Sequence, residues 1–139
     1  MVHQQMLDVR TRGRGTTELT REVERVVAAS GVRIGTCAVF VQHTSCSLVI
    51  TENADPDVHR DLETLLARAA PDGDRQYRHD TEGPDDMAAH ARSVLTATSH
   101  LIPVGEGRLL LGTWQGLHLW EHRTAPHARR IVVTVQGEA

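Results

Sequence analysis

Ile34-Gly35-Thr36-Cys37-Ala38-Val39-Phe40-Val41, then Gln42-His43-Thr44-Ser45-Cys46, then Ser47-Leu48-Val49-Ile50-Thr51 is the stretch that decides the fold class. The first eight residues are rich in β-branched and aromatic side chains, which suit a pleated surface, and they read as a strand. Ser47 to Thr51 reads as the next strand. The five residues between them are small and polar, as in a hairpin connection or a bulge.

On the N-terminal side, Gln4 to Arg10 reads as an earlier strand. Thr16 and Thr17 are candidate N-caps. Leu19, Val23, Val26 and Val27 follow at i, i+4, i+7 and i+8, one apolar stripe of a helix. Gly31 stands where a helix C′ residue belongs. On the C-terminal side, Asn53-Ala54-Asp55-Pro56 punctuates the chain. Asp55 or Asp57 is placed to cap a second helix, in which Val58, Leu62, Leu65 and Leu66 repeat the same spacing until Pro71 closes it. A third helix opens at Gly83-Pro84, with Asp85 and Asp86 where the helix dipole favours acidic groups. Its apolar stripe is Met87, Ala91, Val94 and Leu95. Leu101 to Val104, Arg108 to Leu111, Thr113 to His122 and Ile131 to Val135 read as further strands, with a turn at Gly105-Glu106-Gly107. About three helices and six or seven strands, with hairpins outnumbering crossovers, predict one α+β domain over residues 1–139. Its sheets are mostly antiparallel, with the helices packed on them.

The composition narrows the function. The chain has 139 residues, 40% of them hydrophobic, enough for one core. Its formal net charge of -3 gives no bulk attraction to nucleic acid or to an anionic membrane. The longest apolar run, Cys37 to Val41, is far short of a bilayer span, and the first residues carry no apolar signal region. Two cysteines do not make a disulfide scaffold, so a cytoplasmic protein with reduced thiols is expected. Every basic residue is Arg. The absence of Lys excludes Schiff-base chemistry, covalent pyridoxal phosphate and a P-loop.

Nine histidines are the other compositional signal. His118-Leu119-Trp120-Glu121-His122 matches an inverted zinc-protease pattern, but its flanks read as strand. On a strand, residues i and i+4 stand about 13 Å apart, too far for one metal. His90 borders the stripe of the third helix, four residues after Asp86, which is placed to orient its ring. His79 lies just before that helix and His43 at a strand end. Together the three are a candidate divalent-metal set with an open position; separate solvated or core histidines are the simpler alternative. His3 and His127 are expected to be solvated, His59 exposed and His100 without a partner. Thr44, Ser45 and Ser47 suit an anion or simply form a hydroxyl-rich turn. Asp55 and Glu52 are candidate carboxylates or helix caps. Glu121 shares strand parity with Leu117 and Leu119, so it needs a partner, and Arg129 or Arg130 can supply one or bind phosphate. Cys46 reads as a packing residue.

His43-Thr44-Ser45-Cys46-Ser47, Glu52-Asn53-Ala54-Asp55-Pro56-Asp57, His79 with Asp86-Met87-Ala88-Ala89-His90, Ile102-Pro103-Val104, and Leu111-Gly112-Thr113-Trp114-Gln115-Gly116 with Glu121 together resemble the YjbQ family, often labelled secondary thiamine-phosphate synthase. The match runs in order from about His43 to Val135. The resemblance implies an α+β fold packed around a threefold axis as a homotrimer, with a polar site near the subunit interface. It places the family's histidines at His43, His79 and His90, able to hold a metal such as zinc. Asn53, Asp55 and Glu121 match its other polar signatures. Trp120 departs from the smaller residue expected there. The implied activity joins a thiazole phosphate to an aminopyrimidine with loss of pyrophosphate. Dedicated enzymes for that reaction are (β/α)₈ barrels, longer than this chain.

The expectation is a metal-assisted transferase or hydrolase acting on a small phosphorylated metabolite. His43, His79 and His90 take the metal, Asp55, Asp86 and Glu121 the catalytic roles, and Thr44, Ser45, Asn53, Arg129 and Arg130 the substrate phosphate. The alternative is a homotrimer that binds a metal or an anionic metabolite without turning it over.

Overall fold

Alternating burial along the strands sets the architecture. The structure, a computed structural model, describes residues 1–139. In chain order the elements are β1 (Val2–Arg10), β2 (Gly15–Glu18), α1 (Thr20–Ser30), β3 (Ile34–Val41), β4 (Cys46–Glu52), α2 (Pro56–Ala69), α3 (Asp86–Leu95), β5 (Ser99–Gly105), β6 (Arg108–Leu109), β7 (Gln115–Glu121) and β8 (Ala128–Glu138). Every strand pairing is antiparallel. One sheet has the order β1-β8-β3-β5-β6 and the other β2-β7-β4. The α+β class expected from the sequence is the one observed.

Cys37, Val39 and Val41 of β3, Ile131, Val133 and Val135 of β8, and Ile102 and Val104 of β5 turn one face of the large sheet inward. Cys46 and Leu48 of β4 and Leu117 and Leu119 of β7 meet them from the small sheet, and Val23, Val26 and Val27 of α1 complete the core. Fully burying each such side chain contributes about 1.5–3 kcal/mol, so this one cluster holds the layers together. The far face of the small sheet is covered by α2 and α3. Glu63 of α2 accepts hydrogen bonds from the Trp120 indole and from the buried Arg92 of α3.

Several local expectations need correction. Residues 42–45 do not close a hairpin: β3 and β4 belong to different sheets, and the segment crosses from one layer to the other. Thr16 and Thr17 lie in β2, a strand too short to show a period, and Leu19 occupies the N-cap position. Leu110 and Leu111 fall outside β6, and there are eight strands. The stripe assigned to α3 faces the wrong way. Asp86, Ala88, Ala89, Arg92 and Ser93 are buried, while Val94 and Leu95 are exposed. Partnered polar groups, Arg92 above all, have displaced the apolar side chains from the inward face. Leu65 of α2 is likewise exposed. Gly31 does take the left-handed C-cap, and Asp55 does cap α2 by accepting from the Asp57 N–H. No helix is long and apolar enough to cross a membrane.

Gly35 of β3 pairs with Gly137 of β8. A Cβ at Gly35 would enter the van der Waals envelope of the Gln136 carbonyl, and one at Gly137 that of the Ile34 carbonyl. The obstacle is backbone, which cannot swing aside as a side chain does. Gly35→Ala is therefore expected to cost about 2 kcal/mol or more of unfolding free energy, read by urea denaturation. An unchanged midpoint would contradict this packing.

Candidate functional site

The first turn of α3 and the loop before it build one end of the site. Asp86 opens α3, only 2% exposed, and His90 lies one turn further on. His79 comes from the preceding loop. Its Nε2 lies 2.6 Å from Asp86 Oδ2, and His90 Nε2 lies 3.3 Å from the same oxygen. One ligand-type atom from each residue falls within 4.8 Å of the other two. The spacing i, i+4 on a helix places Asp86 and His90 on one face, which is how the sequence could show that pair. The His79 approach depends on the loop and has no sequence period.

Two groups orient this cluster. The ring Nδ1–H of His90 donates to the Thr44 carbonyl at 3.0 Å, which leaves the Nε2 lone pair facing Asp86. Arg123 holds the acidic side with Nη1 2.9 Å from Asp86 Oδ1, Nε 2.9 Å from Asp85 Oδ2, and Nη2 donating to the Glu82 carbonyl. Burial works against ionisation of Asp86, but the hydrogen bond from His79 and the charge of Arg123 outweigh it and hold the carboxyl below its usual range. The sequence reading missed Arg123 altogether. Its only signal was a cation two residues after Glu121.

Beside the cluster lies a cleft of about 450 Å³ lined by His43, Thr44, His90, Ser93, Val94, Thr96 and Thr98. Four of these seven residues carry hydroxyls. Of the expected metal histidines, His79 and His90 come together with Asp86, while His43 stands across this cleft outside that group. His43 Nε2 accepts from the Arg130 backbone N–H at 2.8 Å, and its Nδ1 lies 3.4 Å from Arg129 Nη1. Burial and the neighbouring Arg129 charge push its pKa down, so the ring is neutral.

Glu121 and Arg129 form a buried ion pair, 1% and 4% exposed. Arg129 Nε donates to Glu121 Oε1 at 2.8 Å and Nη2 to Oε2. Glu121 also accepts from the Thr11 hydroxyl and the Arg123 N–H. Arg129 Nη2 reaches the Ser45 hydroxyl at 3.0 Å. Arg129, rather than Arg130, is thus the partner of Glu121. Arg130 stays exposed, 3.4 Å from Asp8.

Asn53 and Asp55 lie at the opposite end of β4, about 23 Å from Cys46 at the rise of a strand. Asn53 Nδ2 donates to the carbonyls of Thr113 and Gln115, tying the two signature loops together. Both residues line a second cleft with Thr16, Glu18, His59 and His118. Within one chain they do not meet His79 and His90.

Other histidines depart from expectation. His59 is half-buried, bonded to Thr16 and to the Glu52 carbonyl, because α2 lies against the small sheet. His100 Nε2 bonds the Leu48 carbonyl, and the Nε2 of His3 is buried. His127 is half-buried, its Nδ1 on the Ala125 carbonyl. His118 and His122 go to different partners on extended chain, so no helical metal motif exists there. Burial pushes the Cys46 thiol up to about 12, as fits a packing residue.

The sequence profile described as UPF0047 protein YjbQ-like matches residues 5–138. The chain belongs to the UPF0047, YjbQ-like family. A UPF0047 protein of Synechocystis is 54% identical over 136 residues, covering 98% of this chain and 92% of its own. The YjbQ protein of Escherichia coli O157:H7 is 42% identical, covering 99% and 100%. Among solved structures, a YbjQ-like protein of Sulfolobus solfataricus superposes with a TM-score of 0.86 at 26% identity, covering 99% and 100%. A conserved hypothetical protein of Thermus thermophilus does so at 0.85 and 37%, covering 95% and 99%. The UPF0047 fold is therefore the fold of this chain.

Behind the cleft wall sits His122, fully buried, with Nε2 on the Ser47 hydroxyl. Burial, then the charge of Arg92, lowers its pKa from 6.5 to about 3. The unfolded chain takes up this proton first, so the folded state loses stability as pH falls below 6.5, until about pH 3. From pH 7 to pH 5 this group alone should remove about 2 kcal/mol. Urea unfolding at both pH values should show that extra loss in the wild type and not in His122→Gln. Equal losses would place the ring outside the core.

Proposed function

We propose that this chain is a metal-assisted enzyme acting on a small phosphorylated metabolite, with His79, Asp86 and His90 holding a divalent cation such as zinc. The observation that carries this reading is the convergence of two imidazoles on one ionised carboxylate at the mouth of a hydroxyl-lined cleft. Two histidines and a carboxylate are a ligand set used by catalytic metals, which keep a position open. The bond from His90 Nδ1–H to the Thr44 carbonyl is the outer contact that such a ligand needs, since it fixes the tautomer. A cation bound there would neutralise charge developing on a leaving phosphate.

In its finer form the reaction is the one the family resemblance implies. The thiazole nitrogen forms a bond to the aminopyrimidine methylene carbon. The carbon–oxygen bond breaks, and pyrophosphate leaves with the electron pair. This chain supplies neutral donors for the phosphates in the Thr44 and Thr98 hydroxyls and the His43 ring, whereas the Ser93 and Thr96 hydroxyls already donate to the Cys46 and Arg92 carbonyls. Asp86 is the carboxylate nearest this chemistry. Glu121 works at one remove, by holding Arg129. Asp55 and Asn53 can join only if another copy presents them.

That requirement favours the homotrimer. The outer face of the large sheet exposes Met6, Phe40 and Leu101, and α3 exposes Val94 at the cleft and Leu95 beyond it. Large apolar side chains left in water favour an interface between copies. The buried, unpaired Cys37 and Cys46 fit a cytoplasmic setting.

Elemental analysis of the purified protein should find about one divalent metal per chain, and His79→Ala, His90→Ala and Asp86→Asn should each weaken its retention by more than about tenfold in dialysis. No retention in the wild type after incubation with zinc would sink the metal reading. A metal with no turnover on phosphorylated substrates would make the protein a binder. Sedimentation at micromolar concentration tests the assembly separately: a trimer for the wild type and dissociation for Leu101→Asp, with a wild-type monomer overturning it.

A further inference from the structure

The contacts of His43 set two hydrogen-bond donors against each other. β3 and β8 pair regularly through Val41 and Ile131, and the Gln42 N–H still donates to the Arg130 carbonyl. The next bond of a regular antiparallel ladder would run from the Arg130 N–H to the Gln42 carbonyl. Instead that N–H donates to His43 Nε2 at 2.8 Å. A backbone N–H is a donor only, so Nε2 carries no proton, and the ring's single proton sits on Nδ1. Nδ1 faces Arg129 Nη1 at 3.4 Å, and a guanidinium nitrogen is also only a donor. Two N–H groups therefore point at one another, and neither has another hydrogen-bond partner in the protein. Burial and the Arg129 charge push the His43 pKa down, which agrees with a neutral ring.

Arg129 is unable to turn away. It is 96% buried by the complement of its 4% exposure, and Glu121 and Ser45 fix its other nitrogens. Donor set against donor is costly unless an acceptor lies between them, and the natural acceptor for a charged fork is an oxyanion. His43 lines the 450 Å³ cleft and Arg129 lies behind it, so a ligand in the cleft approaches the pair from the His43 side.

We propose that His43 Nδ1–H and Arg129 Nη1–H form an oxyanion seat that binds a phosphoryl oxygen of the ligand in this cleft. This deepens the proposed function, since it rests on a phosphorylated ligand there and gives His43 a role in gripping phosphate rather than metal. It does not need the cation: His79, Asp86 and His90 form a separate group.

The test is isothermal titration of metal-stripped protein with inorganic phosphate, with ¹⁵N NMR of the His43 ring. The ring should show Nδ1 protonated and Nε2 bare. His43→Leu should weaken phosphate binding by about tenfold or more, the value of one hydrogen bond to a charged group. His43→Asn, whose amide N–H replaces the Nδ1–H donor, should restore it to within about threefold. His79→Ala should keep phosphate binding while losing metal, which separates this seat from the cation site. Acetate should bind more weakly than phosphate. A protonated Nε2, no phosphate binding by the wild type, or equal affinity in His43→Leu overturns the seat. Loss in His79→Ala overturns its independence, and acetate binding as tight as phosphate overturns the phosphoryl assignment.

Discussion

The buried pair of Glu121 and Arg129 is the joint on which both the fold and the site depend. Glu121 ends β7 in the small sheet, and Arg129 lies near the start of β8 in the large one. The carboxylate also takes the Thr11 hydroxyl just after β1 and the Arg123 N–H just after β7, and the guanidinium takes Ser45 in the crossover between layers. Five chain segments converge on two side chains. Burial alone would favour a neutral Glu121, but Arg129 and the other donors hold it ionised. Removing one partner from such a pair leaves a bare charge in the interior and costs about 3–5 kcal/mol. The pair is therefore more than a local attraction. It sets where residues 43–45 leave one sheet for the other, and so where His43 and the Thr44 carbonyl stand relative to α3.

From that joint the site follows by short steps. The crossover presents the Thr44 carbonyl to His90, which turns the His90 Nε2 toward Asp86. Arg123, two residues past Glu121, reaches the other oxygen of Asp86. The same few residues of β7 and its extension thus anchor the His43 side of the cleft through Arg129 and the acidic side through Arg123. Behind them Ser47, Thr96 and His122 form a hydroxyl–imidazole chain in the buried wall. A site with its supports in the core is held in place without relying on loops.

What the sequence showed depended on the period of each signal. β3 and α1 were legible because their apolar residues repeat at the spacing of the element, and the core uses those residues. α3 misled because its inward face is made of Asp86, Ala88, Ala89, Arg92 and Ser93. An apolar stripe there announces an unpaired face rather than a core. β2 has four residues and was hidden behind plausible cap residues. The crossover after β3 looked like a hairpin because five small polar residues fit either connection; layer membership is decided by the partners of β4 and β7, far away in sequence. Within the site, Asp86 and His90 were legible as a helical pair, and Glu121 was legible as a carboxylate in need of Arg. The opposed donors of His43 and the grip of Arg123 were not, since both arise only from the meeting of distant segments.

The separation of the signature residues carries the last step. His79, Asp86 and His90 stand at one end of the small sheet, and Asn53 with the Gly112–Gly116 loop at the other, joined by the Asn53 bonds to Thr113 and Gln115. A single rigid chain cannot bend β4 to bring these ends together, because all seven of its residues pair with β7. If the signature residues serve one reaction, they must meet between copies. The exposed Trp114 beside Asn53 and the exposed Val94 and Leu95 beside His90 then have a common explanation: each is surface that a neighbouring copy covers. Assembly would be part of the active site itself, and the strength of the interface would set how much of the chemistry a dilute solution of this protein retains.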